Sequence, residues 1–304
     1  MDDAHQKSKK IILENDFLIA EIYPNLGGLC SSLKLKNNSR ELLSWPDGFD
    51  PNNYKKISGG LPLIFPICGR LSREKKIGQY LYDHQIFNLN IHGFLHQLDS
   101  EILENKNNKL ILKFKDDSQT RAQYPFRFEI LLTYFLDKNK LICEQEYKNL
   151  GENPMPFYAG FHPYFKINKN RTGATLNFKA QRSFEYNSEL TDVIGEQECL
   201  SMPIDLAHPD QAYNERLSEL DPENLNTILK LPDGLVLTQE VSGKLKNKNL
   251  FPYLQLYSNV DQEFICLEPW MSHPNSFNSL LACPVLNPGE HVTGGYVLEI
   301  NPPL

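Results

Sequence analysis

Two short segments of the chain each place an ionisable side chain directly before a proline. They are Phe161-His162-Pro163-Tyr164-Phe165 and, farther along, Cys266-Leu267-Glu268-Pro269-Trp270. A residue that precedes proline has restricted backbone geometry, so each segment should hold its imidazole or carboxylate in a fixed orientation. We therefore interpret His162 and Glu268 as a candidate acid/base pair.

Both segments have the alternation that is typical of β-strands. In Phe157 to Phe165, His162 shares a face with Tyr158, Gly160 and Tyr164. In the second segment Pro269 cannot donate to a sheet ladder, which predicts that Glu268 stands at a strand end. For either residue alone, the structural alternative is a hydrogen-bonded core histidine or a glutamate in an ion pair.

Two further segments carry residues that could bind a polar ligand. Gly59 to Leu71 is an apolar segment that is interrupted by glycine and proline and has Arg70 near its end. A snorkelling or ion-paired arginine is the alternative reading. In Ile91 to His96, Gly93 permits a turn beside His92, which makes His92 a candidate hydrogen-bonding residue.

A metal site built from His84, His92 and His96 is the rival interpretation of that second segment. Gly93 weakens a helix there, and in a strand four residues separate two side chains by about 13 Å, too far for one zinc ion. The sequence therefore predicts no metal site.

Composition excludes several classes of protein. The formal net charge is −7 over 304 residues, which offers no basic field for a nucleic-acid backbone. No run of apolar residues is long enough to span a membrane, and the polar start lacks a signal-peptide core. These features predict a soluble, cytoplasmic protein that binds neither nucleic acid nor membrane. Its six cysteines lack CxxC spacing, so we expect them to be reduced thiols in the core.

The rest of the chain indicates a sheet protein. Period-2 alternation and turn residues predict strands near these segments: Phe17 to Tyr23, Leu29 to Leu35, Lys109 to Lys115, Phe126 to Leu136, Leu141 to Lys148, Ala174 to Lys179, Leu235 to Glu240, Tyr253 to Tyr257 and His291 to Ile300. Helix-compatible stretches are brief, such as Gln211 to Leu220, and no nucleotide-binding glycine motif occurs. We expect an all-β fold, a large antiparallel β-sandwich, with a disordered tail over 1–10 and one domain over 11–304.

These motifs, taken in order, resemble the aldose 1-epimerase (galactose mutarotase) family, and its divergent bacterial branch in particular. The resemblance runs from about Ile11 to Ile300. It rests on five motifs: Phe-Pro-x-x-Gly-Arg ending at Arg70, His-Gly-Phe at His92, His-Pro-Tyr at His162, Leu-Gln-Leu-Tyr at Gln255 and Glu-Pro-Trp at Glu268. After His92 the sequence departs from the family, reading Leu95-His96-Gln97-Leu98 where an Ala-Arg pair is common.

The resemblance implies a role for each matched residue. Glu268 would be the catalytic base and His162 the acid. Three residues would hold the sugar: Arg70, His92 and Gln255. A further sugar-binding aspartate is expected, and Asp210 is the best match, with Asp205 as its competitor.

The implied activity is that of an isomerase which interconverts the α and β anomers of a free hexose without cofactor or metal. Glu268 would take the C1 hydroxyl proton while His162 protonates the ring oxygen, with the two groups on opposite sides of the sugar ring. The alternatives are a hexose-6-phosphate 1-epimerase, a non-catalytic carbohydrate-binding or sensor protein, and a glycoside hydrolase using Glu268 with Asp210. The expected partner is a small-molecule sugar, and the expected assembly is a monomer or weak homodimer.

Overall fold

Strands make up nearly all the regular structure in the computed structural model, which describes residues 9–208, 213–259, 261–279 and 283–302. In chain order the strands are β1 (Ile11–Glu14), β2 (Leu18–Tyr23), β3 (Leu29–Leu35), β4 (Leu63–Ile64), β5 (Ser72–Arg73), β6 (Lys76–Ile77), β7 (Gln79–Tyr82), β8 (Gln85–Asn88), β9 (Glu101–Lys106), β10 (Lys109–Lys115), β11 (Phe128–Asp137), β12 (Lys140–Asn149), β13 (Met155–Pro156), β14 (Gly160–Phe161), β15 (Tyr164–Lys166), β16 (Thr175–Phe178), β17 (Ala180–Tyr186), β18 (Val193–Gln197), β19 (Ile204–Asp205), β20 (Arg216–Leu220), β21 (Thr227–Lys230), β22 (Val236–Ser242), β23 (Lys244–Leu245), β24 (Lys248–Asn249), β25 (Tyr253–Tyr257), β26 (Phe264–Trp270), β27 (Val285–Leu286) and β28 (His291–Asn301). A short helix α1 (Ser118–Gln123) and one 3-10 turn (Leu95–Gln97) complete the described elements.

Two large antiparallel sheets form the body of the protein. The nine-stranded sheet has the order β19-β16-β21-β22-β28-β12-β11-β10-β9. The eight-stranded sheet has the order β18-β17-β20-β25-β26-β14-β4, and β15 also pairs with β26. Residues of both sheets, such as Leu132 and Ile265, share the main hydrophobic core. The prediction of a large antiparallel β-sandwich is confirmed.

The strands of the nine-stranded sheet follow directly from the alternation in the sequence. Along β11 buried residues alternate with half-buried ones, so one face lies in the core and the other meets solvent. β11 and β12 pair from Phe128 with Asn149 to Asp137 with Lys140, which is the predicted hairpin. The lysines of β10 point to the solvent side for the same reason.

The eight-stranded sheet departs from the predictions at its prolines. The run from 157 to 165 is not one strand, because it breaks at His162-Pro163 between β14 and β15. The prediction that Glu268 ends a strand is wrong, since β26 continues through Pro269 to Trp270. The break between β14 and β15 lies opposite this part of β26, so no neighbour on that side needs the N–H that Pro269 lacks.

The stretch from 211 to 220 is not helical where the structure describes it. Arg216–Leu220 forms β20, which pairs with β17 and β25 in the interior of the eight-stranded sheet. Tertiary pairing therefore overrides the weak local helix preference. Within the described ranges, no helix has both the length and the apolar character needed to cross a bilayer.

Candidate active site

A cavity of about 610 Å³ opens beside β25 and β26. This volume is within the usual range for small-molecule sites. β26 is buried along its whole length: Ile265 and Leu267 belong to the main core, while Glu268 lines the cavity. Four other predicted site residues line the same cavity: Arg70, His92, His162 and Gln255.

His162 and Glu268 lie in direct contact in this cavity. His162 Nε2 is 3.4 Å from Glu268 Oε1, and the two side chains are only 7% and 2% exposed. Trp270 Nε1 donates to Glu268 Oε2 at 3.2 Å, and the His162 ring stacks flat on Tyr164 with 4.6 Å between ring centroids. The expectation that a sugar ring separates the acid from the base does not match this contact.

Burial controls the protonation of this pair. It raises the pKa of Glu268 well above its usual range, and the nearby Glu215 raises it further. Burial also lowers the pKa of His162, to about 3. Both shifts disfavour the charged form, so the empty site favours a carboxylic acid beside a neutral imidazole over an ion pair. The two residues then share one titratable proton, which is on Glu268 in the neutral pair and on His162 in the ion pair.

The backbone fixes the orientation and tautomer of His92. Its φ is +62° and that of Gly93 is +70°, so the chain makes a sharp left-handed turn there. Gly69 N–H donates to His92 Nδ1 at 3.1 Å, which leaves the proton of the neutral ring on Nε2. Burial lowers the pKa of His92, so the ring is neutral and presents an N–H donor.

Gln255 links two cavity residues that sequence reasoning missed. It lies opposite Glu268 in the β25–β26 ladder. Its Oε1 accepts from the Tyr186 hydroxyl at 2.7 Å, and its Nε2 donates to Glu215 Oε2 at 3.3 Å. In the empty site Gln255 therefore joins Tyr186 and Glu215 into one hydrogen-bonded wall.

Glu215 is the cavity carboxylate that the sequence analysis did not identify. Its backbone is left-handed, with φ of +50°, immediately before β20 begins. Burial raises its pKa, and the nearby Arg70 guanidinium acts in the opposite direction. Non-glycine residues in this conformation concentrate at functional sites. The sequence signal was a carboxylate directly after Tyr213-Asn214, inside the stretch that we interpreted as helix-compatible.

The aspartate predictions have different outcomes. Asp210 lies outside the described residues. Asp205 is exposed in β19, opposite Thr175 in the nine-stranded sheet, and its carboxylate accepts from Ala207 N–H. It does not line the cavity.

The histidines that could hold a metal are regrouped by the fold. His84 is exposed in the turn between β7 and β8, and so is not part of the cavity. Among described residues, possible ligand atoms of His92, His162 and Glu268 lie within 4.8 Å of one another. Tetrahedral zinc with bonds near 2.0 Å needs ligand atoms about 3.3 Å apart, so a group this wide would have to contract to bind zinc.

Comparison with solved structures shows the galactose mutarotase-like fold. The galactose mutarotase related enzyme of Lactobacillus acidophilus superposes with a TM-score of 0.79 at 20% identity, over 96% of this chain and 97% of that one. A galactose mutarotase-like protein of Clostridium acetobutylicum gives 0.79 at 19% identity, over 97% and 96%. Galactose 1-epimerase of Lactobacillus acidophilus NCFM gives 0.72 at 17% identity, over 97% and 95%.

The chain belongs to the aldose 1-epimerase family, whose model matches residues 9–299. It is also similar to the plasmid-encoded protein LacX of Lactococcus lactis subsp. lactis. The two are 26% identical over 281 residues, which cover 86% of this chain and 87% of LacX. Family and fold together support a sugar epimerase or mutarotase in general terms.

Proposed function

We propose that this protein is an aldose 1-epimerase that interconverts the α and β anomers of an aldose, with Glu268 and His162 as its acid/base pair. The observation that carries the proposal is the 3.4 Å contact between His162 Nε2 and Glu268 Oε1 in a cavity of about 610 Å³. Few structural roles require a buried carboxyl and imidazole on the floor of a ligand-sized cavity.

The short distance suits the chemistry of anomer exchange. Ring opening removes a proton from the C1 hydroxyl and adds one to the ring oxygen, and both oxygens are bonded to C1. An acid and a base that serve two oxygens on one carbon must themselves be close together. The contact between His162 and Glu268 meets this requirement better than an arrangement on opposite sides of the sugar ring.

The proton transfers return both residues to their initial protonation states over one reaction cycle. With the shared proton on His162, the Glu268 carboxylate takes the C1 hydroxyl proton as imidazolium protonates the ring oxygen. The C1–ring-oxygen bond breaks, the aldehyde forms, and the pair is left as carboxylic acid and neutral imidazole. Rotation about C1–C2 and reversal of both transfers give the other anomer. Burial favours the neutral pair, so it stabilises the enzyme on the open-chain side of the reaction.

The other cavity residues have complementary hydrogen-bonding roles. His92 offers an Nε2–H donor to a sugar oxygen, and Arg70 offers guanidinium donors at the cavity wall. We assign Glu215, rather than Asp205, as a carboxylate that accepts from sugar hydroxyls, because Glu215 lines the cavity and Asp205 does not. Gln255 would position Glu215 and Tyr186.

The test follows the relaxation of freshly dissolved α-D-glucose and α-D-galactose by polarimetry or proton NMR. Glu268→Gln and His162→Asn should each slow the enzymatic rate by about 10² to 10⁴. Glu144→Gln and His291→Asn are matched controls, because both residues are exposed on the nine-stranded sheet. The controls should keep full activity.

Two results would contradict the proposal. Equal rates for wild type and Glu268→Gln would remove Glu268 as the base. Binding of free sugars without any acceleration of their relaxation would indicate a carbohydrate-binding protein. Since the cavity holds two carboxyl groups, Glu268 and Glu215, an oligosaccharide should be assayed in parallel. New reducing ends in that assay would indicate a glycosidase instead.

A further inference from the structure

Two adjacent lysines form one lip of the candidate active site. Lys55 and Lys56 line the cavity and are exposed to solvent. No ion pair involves either ammonium group within the part of the chain that the structure describes. Two uncompensated positive charges at the mouth of a sugar-sized cavity attract anions. A neutral hexose would make no use of that field.

The lysine segment is held in place on both sides. Tyr54 is buried, and its ring meets Trp45 and His96 edge to face at 5.8 and 5.9 Å between centroids. On the other side Ile57 packs against the cluster of Tyr164, Phe264 and Cys266. Tyr164 is the residue on which the His162 ring stacks. The lysine segment therefore packs, through Ile57, against the cluster whose Tyr164 also supports the His162 ring.

A buried histidine next to the lip has an unused hydrogen-bonding atom. His96 lines the cavity, is 4% exposed, and its Nδ1 has no partner among the described residues. Gln97 Nε2 lies 3.0 Å from the Lys55 carbonyl oxygen and 3.1 Å from His96 Nε2. His96 Nε2 itself lies 3.3 Å from the same carbonyl oxygen, so this nitrogen can either donate to Lys55 or accept from Gln97.

The hydrogen bonds of His96 use only one of its two ring nitrogens. Burial lowers the pKa of His96, so the ring is neutral. With Nε2 in contact with Lys55 and Gln97, Nδ1 is the ring nitrogen that remains for a ligand. The lip thus combines two ammonium groups, which suit anionic oxygen, with one buried ring nitrogen that has no partner among the described residues.

We propose that Lys55, Lys56 and His96 form a subsite for an anionic substituent of the sugar, so that the substrate class is an aldose bearing a phosphate or a carboxylate. The inference rests on the proposed epimerase function, because the same cavity supplies the acid/base pair. The anionic group would lie at the lip, away from C1, and would contribute to binding rather than to the chemical step.

The experiment compares the anomer exchange of D-glucose, D-glucose 6-phosphate and D-glucuronate by NMR exchange spectroscopy. Wild type should favour an anionic sugar over glucose in kcat/KM. Lys55→Gln/Lys56→Gln should lower that preference by about tenfold through KM, since two charge-assisted contacts are lost. The lysine pair Lys246→Gln/Lys248→Gln, exposed on the β23–β24 hairpin, is the matched control and should leave the preference unchanged.

The outcomes separate this proposal from the function on which it rests. Acceleration of glucose with no preference for either anion, in wild type and double variant alike, overturns the subsite and leaves the epimerase. Preference for only one anion identifies the substituent as phosphate or as carboxylate. If no sugar is accelerated, the epimerase is wrong, and calorimetric titration with glucose 6-phosphate decides the subsite. Binding weakened by the double variant supports it, and undetectable binding to wild type overturns it.

Discussion

Glu268 makes the stability of this fold depend on pH in an unusual direction. Most carboxyl groups have a lowered pKa when folded, whereas burial raises that of Glu268 from its ordinary 4.5. Its contribution is therefore fully present below pH 4.5 and is lost as pH rises through the raised pKa. At pH values between 4.5 and the raised pKa, the folded protein keeps Glu268 unionised, whereas the unfolded chain ionises it.

Replacing Glu268 by glutamine removes this pH-dependent loss. The melting temperature of Glu268→Gln relative to wild type should rise between pH 5 and pH 7.5, by roughly 2 °C per pH unit in the window where Glu268 titrates only in the unfolded chain. Scanning calorimetry at both pH values measures the difference. Glu144→Gln should show a constant offset. If the difference in melting temperature between Glu268→Gln and wild type is the same at both pH values, Glu268 has an ordinary pKa.

At the residue scale, the sequence predicted for a local reason the two residues that we propose as the acid/base pair. Placement before a proline identifies His162 and Glu268 without any knowledge of the fold. Glu215 has no such marker, because its place in the cavity results from a left-handed residue just before β20 and from pairing between β20 and β25. The contact between His162 and Glu268 was equally hidden, since it depends on β14, β15 and β26 meeting in register.

At the element scale, the turn that holds His92 depends on Gly93. A Cβ at Gly93 would lie 2.3 Å from the Phe65 carbonyl oxygen, in addition to the strain of φ at +70°. Gly289 has a similar φ of +75° but open space around its Cβ position, which makes it a matched control.

Gly93→Ala should therefore destabilise the fold by more than Gly289→Ala, which we expect to cost about 1 kcal/mol from backbone strain alone. Denaturant unfolding of the two variants measures the difference. Because Gly93→Ala also shifts His92, its KM for sugar should rise, while that of Gly289→Ala should not. Equal stability of the two variants would mean that the turn relaxes without cost.

A buried arginine supports the other side of the site. Arg171 is 2% exposed, and its partners among the described residues are all neutral oxygens: the carbonyls of Asn259, Gln262 and Phe264 and the hydroxyls of Ser258 and Tyr213. These contacts join the β25–β26 turn to the segment that leads into Glu215. These neutral acceptors stabilise a buried charge, so each of them matters.

Arg171→Gln should lower the free energy of unfolding by about 3 kcal/mol, since several buried acceptors lose their donor at once. The exposed Arg127→Gln is its control and should change stability by less than about 0.5 kcal/mol. Chemical denaturation measures both variants. A loss for Arg171→Gln no larger than that for Arg127→Gln would show that water replaces the guanidinium.

At the scale of the whole molecule, the bounds of a strand were predictable where one of its faces meets water, as in β10, or where turn residues flank it, as in β3 and β25. β3, β10 and β25 have the predicted bounds because alternation or turn residues mark them. β26 was harder to delimit, because it is buried on both faces and contains a proline. Alternation weakens when both faces are buried, and only the neighbouring strands show that Pro269 is tolerated.

The cysteines report on the folding of the whole molecule. All six are free thiols in the structure, and the predicted core position holds for four of them. Cys30, Cys68, Cys143 and Cys266 are buried, Cys283 is half-buried and Cys199 is exposed. Burial raises the pKa of the four core thiols, so they are poor nucleophiles while the protein is folded.

With a thiol-reactive dye we expect Cys199 to react first, Cys283 more slowly and the core thiols only at the global unfolding rate. Cys199→Ser should abolish the fast phase alone. Rapid labelling of every thiol without denaturant would show that the two sheets separate far more easily than their shared core implies.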